Sequence, residues 1–398
     1  VGAIIAVLLL SFVLVVHSHN LFKKKTDVLV AVIQEADKAF AKSFAKDLGT
    51  EKQIFPITEL GIETTLQKES WGLLQLQKVH SKKGKFQFKK MAFVGPTDSK
   101  RPALYLKDNQ RPLVLVGNTK VSGTAYLPER GVKMGNIYGN SYYAPKLIYG
   151  QELQSGEQLP PLSREFQEQL LLKNFESESI DYKARMTLKN SFANPTKSIR
   201  GDYIQLEEVT LSGNIVVQAT HKIVVEASSI LHDIILIAPI IEIRNWTKGN
   251  FQALAQKTIK VGKGCKLDYP SVLAVNLIRK DSLINQSMEP HIALDSYAEL
   301  RGFILFKEDH EEPNLYKPHV HIDENAQVHG EVYSSQNLEL KGKVHGNVTV
   351  GGFVALENGN IYQNHLYNGK INSGTLAEQY AGIAYENQKT DQIIKWLY

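Results

Sequence analysis

Cysteine is almost missing from this sequence: Cys265 stands alone among 398 residues. An intramolecular disulfide is therefore excluded, and so is a zinc site built from thiolates. The surrounding Gly262-Lys263-Gly264-Cys265-Lys266-Leu267 sets that thiol between apolar steps, where a small buried side chain is expected and a nucleophile is not. Charge of one sign is also scarce. The chain carries 46 basic and 41 acidic residues, a formal net charge of +5. Spread over this length, the excess makes no concentrated basic face of the kind nucleic acid needs, and no nucleic-acid partner is expected. No phosphate-binding glycine loop, G-x-S-x-G elbow or H-E-x-x-H helix occurs.

Carboxylates are thin where the chain is most apolar: residues 214 to 276 hold Glu226, Asp233, Glu242 and Asp268. Glycoside cleavage needs a convergent carboxylate pair. Glu207-Glu208 and Glu311-Glu312 are adjacent, and adjacent strand residues point to opposite faces. The expectation is therefore no catalytic residue, no cofactor and no metal. His310, His319, His321, His329 and His345 gather late in the chain. His319-Val320-His321 would put two imidazoles on one strand face, where Glu311, Glu312 or Asp323 would complete a metal site. Solvent-facing strand positions are the expected reading. Arg200-Gly201-Asp202 is an adhesive tripeptide by composition alone. Asn245-Trp246-Thr247, Asn285-Gln286-Ser287 and Asn347-Val348-Thr349 are glycosylation sequons, which points to exposure of those positions.

What the chain does have begins at its first residue. Residues 1 to 16, VGAIIAVLLLSFVLVV, are continuously apolar. As a helix they cover about 24 Å, a little under the ~30 Å of bilayer hydrocarbon. With no basic start and no small-residue cleavage site in view, a retained anchor is expected over a signal peptide, completed by residues upstream. Residues 1–20 are thus the transmembrane anchor, with the lipid bilayer as partner. Lys23, Lys24 and Lys25 follow directly and would favour the cytoplasmic side if that flank decided topology.

From residue 21 to 49 the apolar positions Phe22, Leu29, Val32, Ile33, Ala36, Phe40 and Phe44 recur at three, four and seven. That spacing predicts an amphipathic helix continuing the anchor and ending at Gly49. A helix-packing and assembly role falls on Phe22, Leu29, Ile33, Phe40 and Phe44. This long apolar-then-amphipathic helix ahead of a β-rich head resembles the N-terminal helix of type IV pilins and of type II secretion pseudopilins. The resemblance covers residues 1 to about 50 and implies assembly through packed helices.

Residues 50–112 read as a β-hairpin neck. Leu74 to Val79 and Phe86 to Phe88 alternate around Lys82-Lys83-Gly84-Lys85, a hairpin with a glycine turn. Ala103 to Leu106 and Pro112 to Val116 read as a second hairpin. A β-helix is expected to start over 113–137. A helix-and-loop insertion follows over 138–205, with Ser163 capping a helix toward Leu172. A β-helix body runs over 206–376 and a tail over 377–398.

The body rests on its repeats. Val328-His329-Gly330 returns as Val344-His345-Gly346, sixteen positions later. Upstream, short Val/Ile steps return every seven to eleven residues. The fold class expected is mainly β: a parallel β-helix (solenoid) in which Val328 and Val344 lie one rung apart inside, the glycines share a corner and the histidines stack outside. A β-sandwich has similar strand spacing but no reason for a verbatim repeat. Residues 319 to 356 resemble bactofilins, the polymer-forming β-helical cytoskeletal proteins, whose coils carry similar valine-x-glycine steps.

Together these features predict a membrane-anchored structural or assembly component of a bacterial cell envelope, with an extracytoplasmic body. Its partners would be other envelope or pilus-like subunits, or copies of itself. A cytoplasmic bactofilin-like scaffold and a glycan-binding or glycan-cleaving surface β-helix are the alternatives.

Overall fold

A computed structural model describes residues 1–45, 52–97, 101–171, 177–277, 288–308, 316–386 and 391–397. The chain is mainly β with one long apolar N-terminal helix. It divides into two units. One comprises Val1–Trp71, Gln75–Val94 and Lys395–Tyr398, and the other Gly72–Leu74 and Gly95–Ile394.

In the first unit, helix α1 (Gly2–Ala45) runs unbroken from the apolar segment into the amphipathic one. After Gly2 it contains neither Gly nor Pro, so nothing interrupts its hydrogen-bond ladder. Residues 1 to 27 are exposed throughout, whereas Val32, Ala36, Ala39, Phe40 and Ser43 are buried. Those five fall at steps of three and four, one stripe on a 3.6-residue helix. The expected stop at Gly49 lies outside the described residues. A five-stranded sheet takes the order Gln53–Ile54, Glu63–Trp71, Leu74–Lys83, Phe86–Pro96, Asp391–Leu397. The predicted hairpin is present: Lys83 faces Phe86 across Gly84, whose φ of 55° suits glycine. The end of the chain, read from sequence as a tail, supplies the last strand of this sheet.

The second unit is built on parallel pairing. Gln327–Leu340 and Lys343–Glu357 pair with Val328 opposite Val344, His329 opposite His345 and Gly330 opposite Gly346. One strand earlier, Leu300, Arg301 and Gly302 of Glu299–Glu308 face the same three residues. Parallel pairing excludes the β-sandwich. The inner side chains form columns of Val, Ile and Leu. Ile304 pairs with Val332, and Val332 with Val348, all buried.

That column then leaves sequence order. Val348 pairs with Leu104, and Leu104 with Ala125. Another column passes in the same way from Val344 to Ile371, Val121 and Ile148. The early strands therefore extend the stack beyond its last C-terminal strand, and residues 155 to 177 connect them to the strands that begin at Glu178.

Two sequence expectations are corrected here. The second hairpin does not form. Leu104–Leu106 pairs in parallel with Lys343–Glu357 and Ala125–Leu127, and Leu113–Val116 pairs in parallel with His365–Tyr367 and Val132–Met134. Between these strands the Asp108 carboxylate accepts from the backbone N–H of Gln110 (2.7 Å) and of Glu129 (2.9 Å), bonds that suit a corner. The insertion is also smaller than 138–205. Ile148–Tyr149, Glu152–Gln154, Glu178–Ile180, Thr187–Asn190 and Lys197–Leu206 are strands of the parallel stack. The helix within it, α2 (Arg164–Gln169), starts as predicted, with Ser163 Oγ accepting from Phe166 N.

Four-residue turns recur between strands: Glu226 to Ser229, Arg244 to Thr247, Gly262 to Cys265, Asp295 to Ala298 and Asp323 to Ala326. In each, the N–H of the fourth residue donates to the carbonyl of the first at 3.0 to 3.4 Å. The fourth positions, Ser229, Thr247, Cys265, Ala298 and Ala326, are all small and buried. Cys265 is therefore one of a column of small residues. Burial pushes its thiol pKa up, against a nucleophilic role.

Candidate functional site

The stripe assigned to helix packing is only partly buried. Phe40 is buried, Ile33 and Phe44 are half-buried, and Phe22 and Leu29 are exposed. Around Phe40 the contacts are dense. Trp396 lies 4.9 Å away between ring centroids, and Lys90 Nζ is 4.3 Å from the Trp396 ring while bonding Asp37 at 2.5 Å. Gln77 Nε2 donates to Ser43 Oγ at 2.6 Å, and Ser43 donates to Phe40 O at 2.6 Å. Sequence periodicity missed Ala39 and Ser43, because small and polar residues carry no apolar signal on their own.

The two histidines of the repeat stack outside, as the pairing requires. Their rings are 4.6 Å apart and 10° from parallel. His329 Nε2 is 3.6 Å from Glu299, Arg301 bonds Glu299, and His345 Nδ1 contacts Thr375 Oγ1 at 3.2 Å. Partial burial lowers both imidazole pKa values; the charge that His345 would gain on protonation lowers His329 further and Lys343 lowers His345, while Glu299 opposes both, so the stacked arrangement disfavours imidazolium at either ring.

His319 and His321 do not converge. His319 is buried, 5.2 Å from the Phe306 ring and 5.9 Å from the His291 ring, with Nε2 3.9 Å from Glu308. His321 Nδ1 instead bonds Glu339 at 2.8 Å. His310, Glu311 and Glu312 lie outside the described residues. Among the described residues no group of three or more His, Cys, Asp or Glu is placed to hold a metal ion. Glu207 and Glu208 are exposed, as are Arg200 and Asp202. Of the sequons, Asn245 is exposed and Asn285 lies outside the described residues. Asn347 is buried, its amide donating to Pro102 O, which corrects the expectation of exposure there.

The most polar interior was not legible in sequence. Arg101 and Glu331 form a buried ion pair, with side chains 7% and 2% exposed. Glu331 Oε2 also accepts from Ile383 N (3.1 Å), and Arg101 Nη2 donates to Pro96 O (2.9 Å) and lies over the Tyr380 ring. Tyr269 donates to Ala381 O, and Tyr380 to Gly302 O, both at 2.9 Å. Burial pushes the phenols of Tyr269, Tyr333 and Tyr385 up to about 12, so they stay protonated. A cavity of about 230 Å³ adjoins the ion pair, walled by Tyr105, Pro160, Pro161, Thr349 and Tyr385. The Glu331 carboxylate there is paired with Arg101 and held by the Ile383 backbone N–H. It stitches distant parts of the chain together, and Glu386 is a second carboxylate on the cavity wall.

The chain thus offers an apolar helix surface, a stacked histidine ladder and a buried structural ion pair. No family model, curated protein or solved structure matches it.

Proposed function

We propose that this chain is a membrane-anchored structural component of a bacterial cell envelope. In this reading the first part of α1 lies in the bilayer, and the parallel strands of the second unit wind as one solenoid that serves as a stiff spacer or docking body. The observation that carries it is the division of a single helix. Residues 1 to 27 are exposed, almost wholly apolar up to residue 16, and long enough to cross a membrane, while residues 32 to 43 are fixed to the sheet of the first unit. An apolar helical surface of that length is stable in lipid and costly in water. In-register columns of Val, Ile and Leu support a solenoid, because each strand covers the next and the stiffness needs no reactive centre. A pilin-like assembly of these helices, with other subunits or with copies of the chain, belongs to the same proposal.

The test uses the full chain with Cys265→Ser and Tyr203→Cys, since Tyr203 is 72% exposed. Carbonate extraction should leave the protein in the membrane pellet, and a membrane-impermeant maleimide should label the introduced thiol in intact spheroplasts. Release by carbonate would remove the anchor. Labelling only after lysis would place the body in the cytoplasm, the arrangement Lys23 to Lys25 favour.

A further inference from the structure

Two contacts orient the sheet of the first unit along α1. Gln77 bonds Ser43 at 2.6 Å, and Lys90 bonds Asp37 at 2.5 Å. Across the hairpin Gln77 faces Ala92, and Val79 faces Lys90. A step from Gln77 to Val79, about 7 Å toward Gly84, thus matches a step back from Ser43 to Asp37, about 9 Å. The hairpin turn Lys83-Gly84-Lys85 therefore lies at the end of the sheet nearer the apolar span. Burial along α1 agrees: Val28 is the first half-buried residue, and every residue from Val1 to Asp27 is exposed.

A second loop lies at the same end. Thr64 bonds Ser81 at 2.8 Å and Glu63 bonds Lys82 at 2.9 Å, which places the start of Glu63–Trp71 beside the hairpin turn. Ile54 pairs with Thr65, and Phe55 N donates to Thr64 O, so the chain from Pro56 to Ile62 extends past that start. This loop is closed on itself: Gly61 N donates to Thr58 O at 2.7 Å, and Ile62 N to Thr58 Oγ1 at 3.1 Å. It is also apolar and uncovered, with Ile54 76%, Ile57 64% and Leu60 57% exposed. At the hairpin turn Lys82 and Lys85 are exposed and Lys83 is half-buried. Glu59 and Glu63 are the carboxylates at this end, and Glu63 is paired with Lys82.

We infer that this end of the first unit rests on an anionic lipid surface. Ile54, Ile57 and Leu60 enter the interface, while Lys83 and Lys85, with Lys23 to Lys25 of α1, meet the phosphates. The inference rests on the reading of α1 as a membrane anchor and adds that the sheet itself touches lipid. Two observations single out this occupant. The edge is continuous with the exposed apolar surface of the same helix, and its lysines complement a negative surface. A second copy seated edge to edge would set lysine against lysine.

The test uses the full chain with Cys265→Ser and Leu60→Cys, labelled with the fluorophore NBD. It is reconstituted in vesicles of phosphatidylcholine, with or without phosphatidylglycerol. Flotation reports the anchor, and quenching of NBD by spin-labelled lipid reports this edge. Flotation is expected in both compositions, with quenching much stronger when phosphatidylglycerol is present. Lys83→Glu combined with Lys85→Glu should lower the docked-to-undocked ratio by about tenfold or more, since each lysine near such a surface contributes about fivefold. Flotation and melting temperature should not change, because neither side chain is in the core. A label on Ser70→Cys, at the far end of Glu63–Trp71, should stay unquenched. Flotation without quenching at position 60 would overturn the inference and leave the anchor standing. So would quenching indifferent to phosphatidylglycerol and to the lysine substitutions, or equal quenching at positions 60 and 70. Loss of flotation in both compositions would remove the anchor and this inference with it. Protection of the Leu60→Cys label in detergent that grows with protein concentration would assign the edge to a second copy instead.

Discussion

His329 and His345 lie face to face at 4.6 Å on paired strands, in the same register that sets Val328 opposite Val344. Both imidazoles have pKa values below the ordinary 6.5, so the unfolded chain binds more protons than the folded one. Their contribution to stability is complete above about pH 6.5 and declines as the pH falls through that value toward the lowered folded ones. Thermal unfolding followed from pH 8 to pH 5 should therefore show a loss of stability on acidification. His365, also lowered by burial, adds in the same direction. The double substitution His329→Gln, His345→Gln should flatten the profile; an unchanged slope would contradict the stacked, neutral pair.

Glycine is required where the strands bend. Gly302, Gly330 and Gly346 have φ of 143°, 144° and 151°, and a Cβ on Gly330 would sit 1.8 Å from Gly302 O. Gly330→Ala should cost on the order of 4 kcal/mol, among the larger single-residue effects. Gly359, which has open space around it, should tolerate alanine with a cost of about 1–2 kcal/mol from φ alone. Urea denaturation of the two variants checks the difference.

Breaking the buried ion pair from one side leaves a charge without its partner. Glu331→Leu or Arg101→Met should each lower stability by about 3–5 kcal/mol, and the double substitution should recover part of that loss. A double-mutant cycle by chemical denaturation measures it. Additive losses would mean that the two residues act independently.

On helix α1 the two halves should respond differently. Phe40→Ala removes a ring packed on Trp396 and should cost about 3–5 kcal/mol. Phe22→Ala and Leu29→Ala remove exposed atoms and should leave the melting temperature within about 1 °C, close to no change in stability. Any defect they cause should appear in membrane retention or assembly, read by sedimentation of membranes and by crosslinking.

Local chemistry made part of this protein legible before any coordinates. A continuous apolar run of sixteen residues followed by spacings of three and four is a helix in any context, because backbone hydrogen bonds close within the segment. Gly84 between alternating strands specifies its hairpin in the same way. The repeat Val328-His329-Gly330 and Val344-His345-Gly346 carried its pairing, since identical steps in register satisfy the same corner and the same inner column. Tertiary structure decided the rest. Leu104 pairs with Val348 and Arg101 with Glu331, and no local pattern marks partners more than two hundred residues apart. The early strands looked like a hairpin because alternation records which face is buried, not which strand lies alongside. Which side chains of α1 are covered follows from how distant strands stack, and only the assembled backbone specifies that.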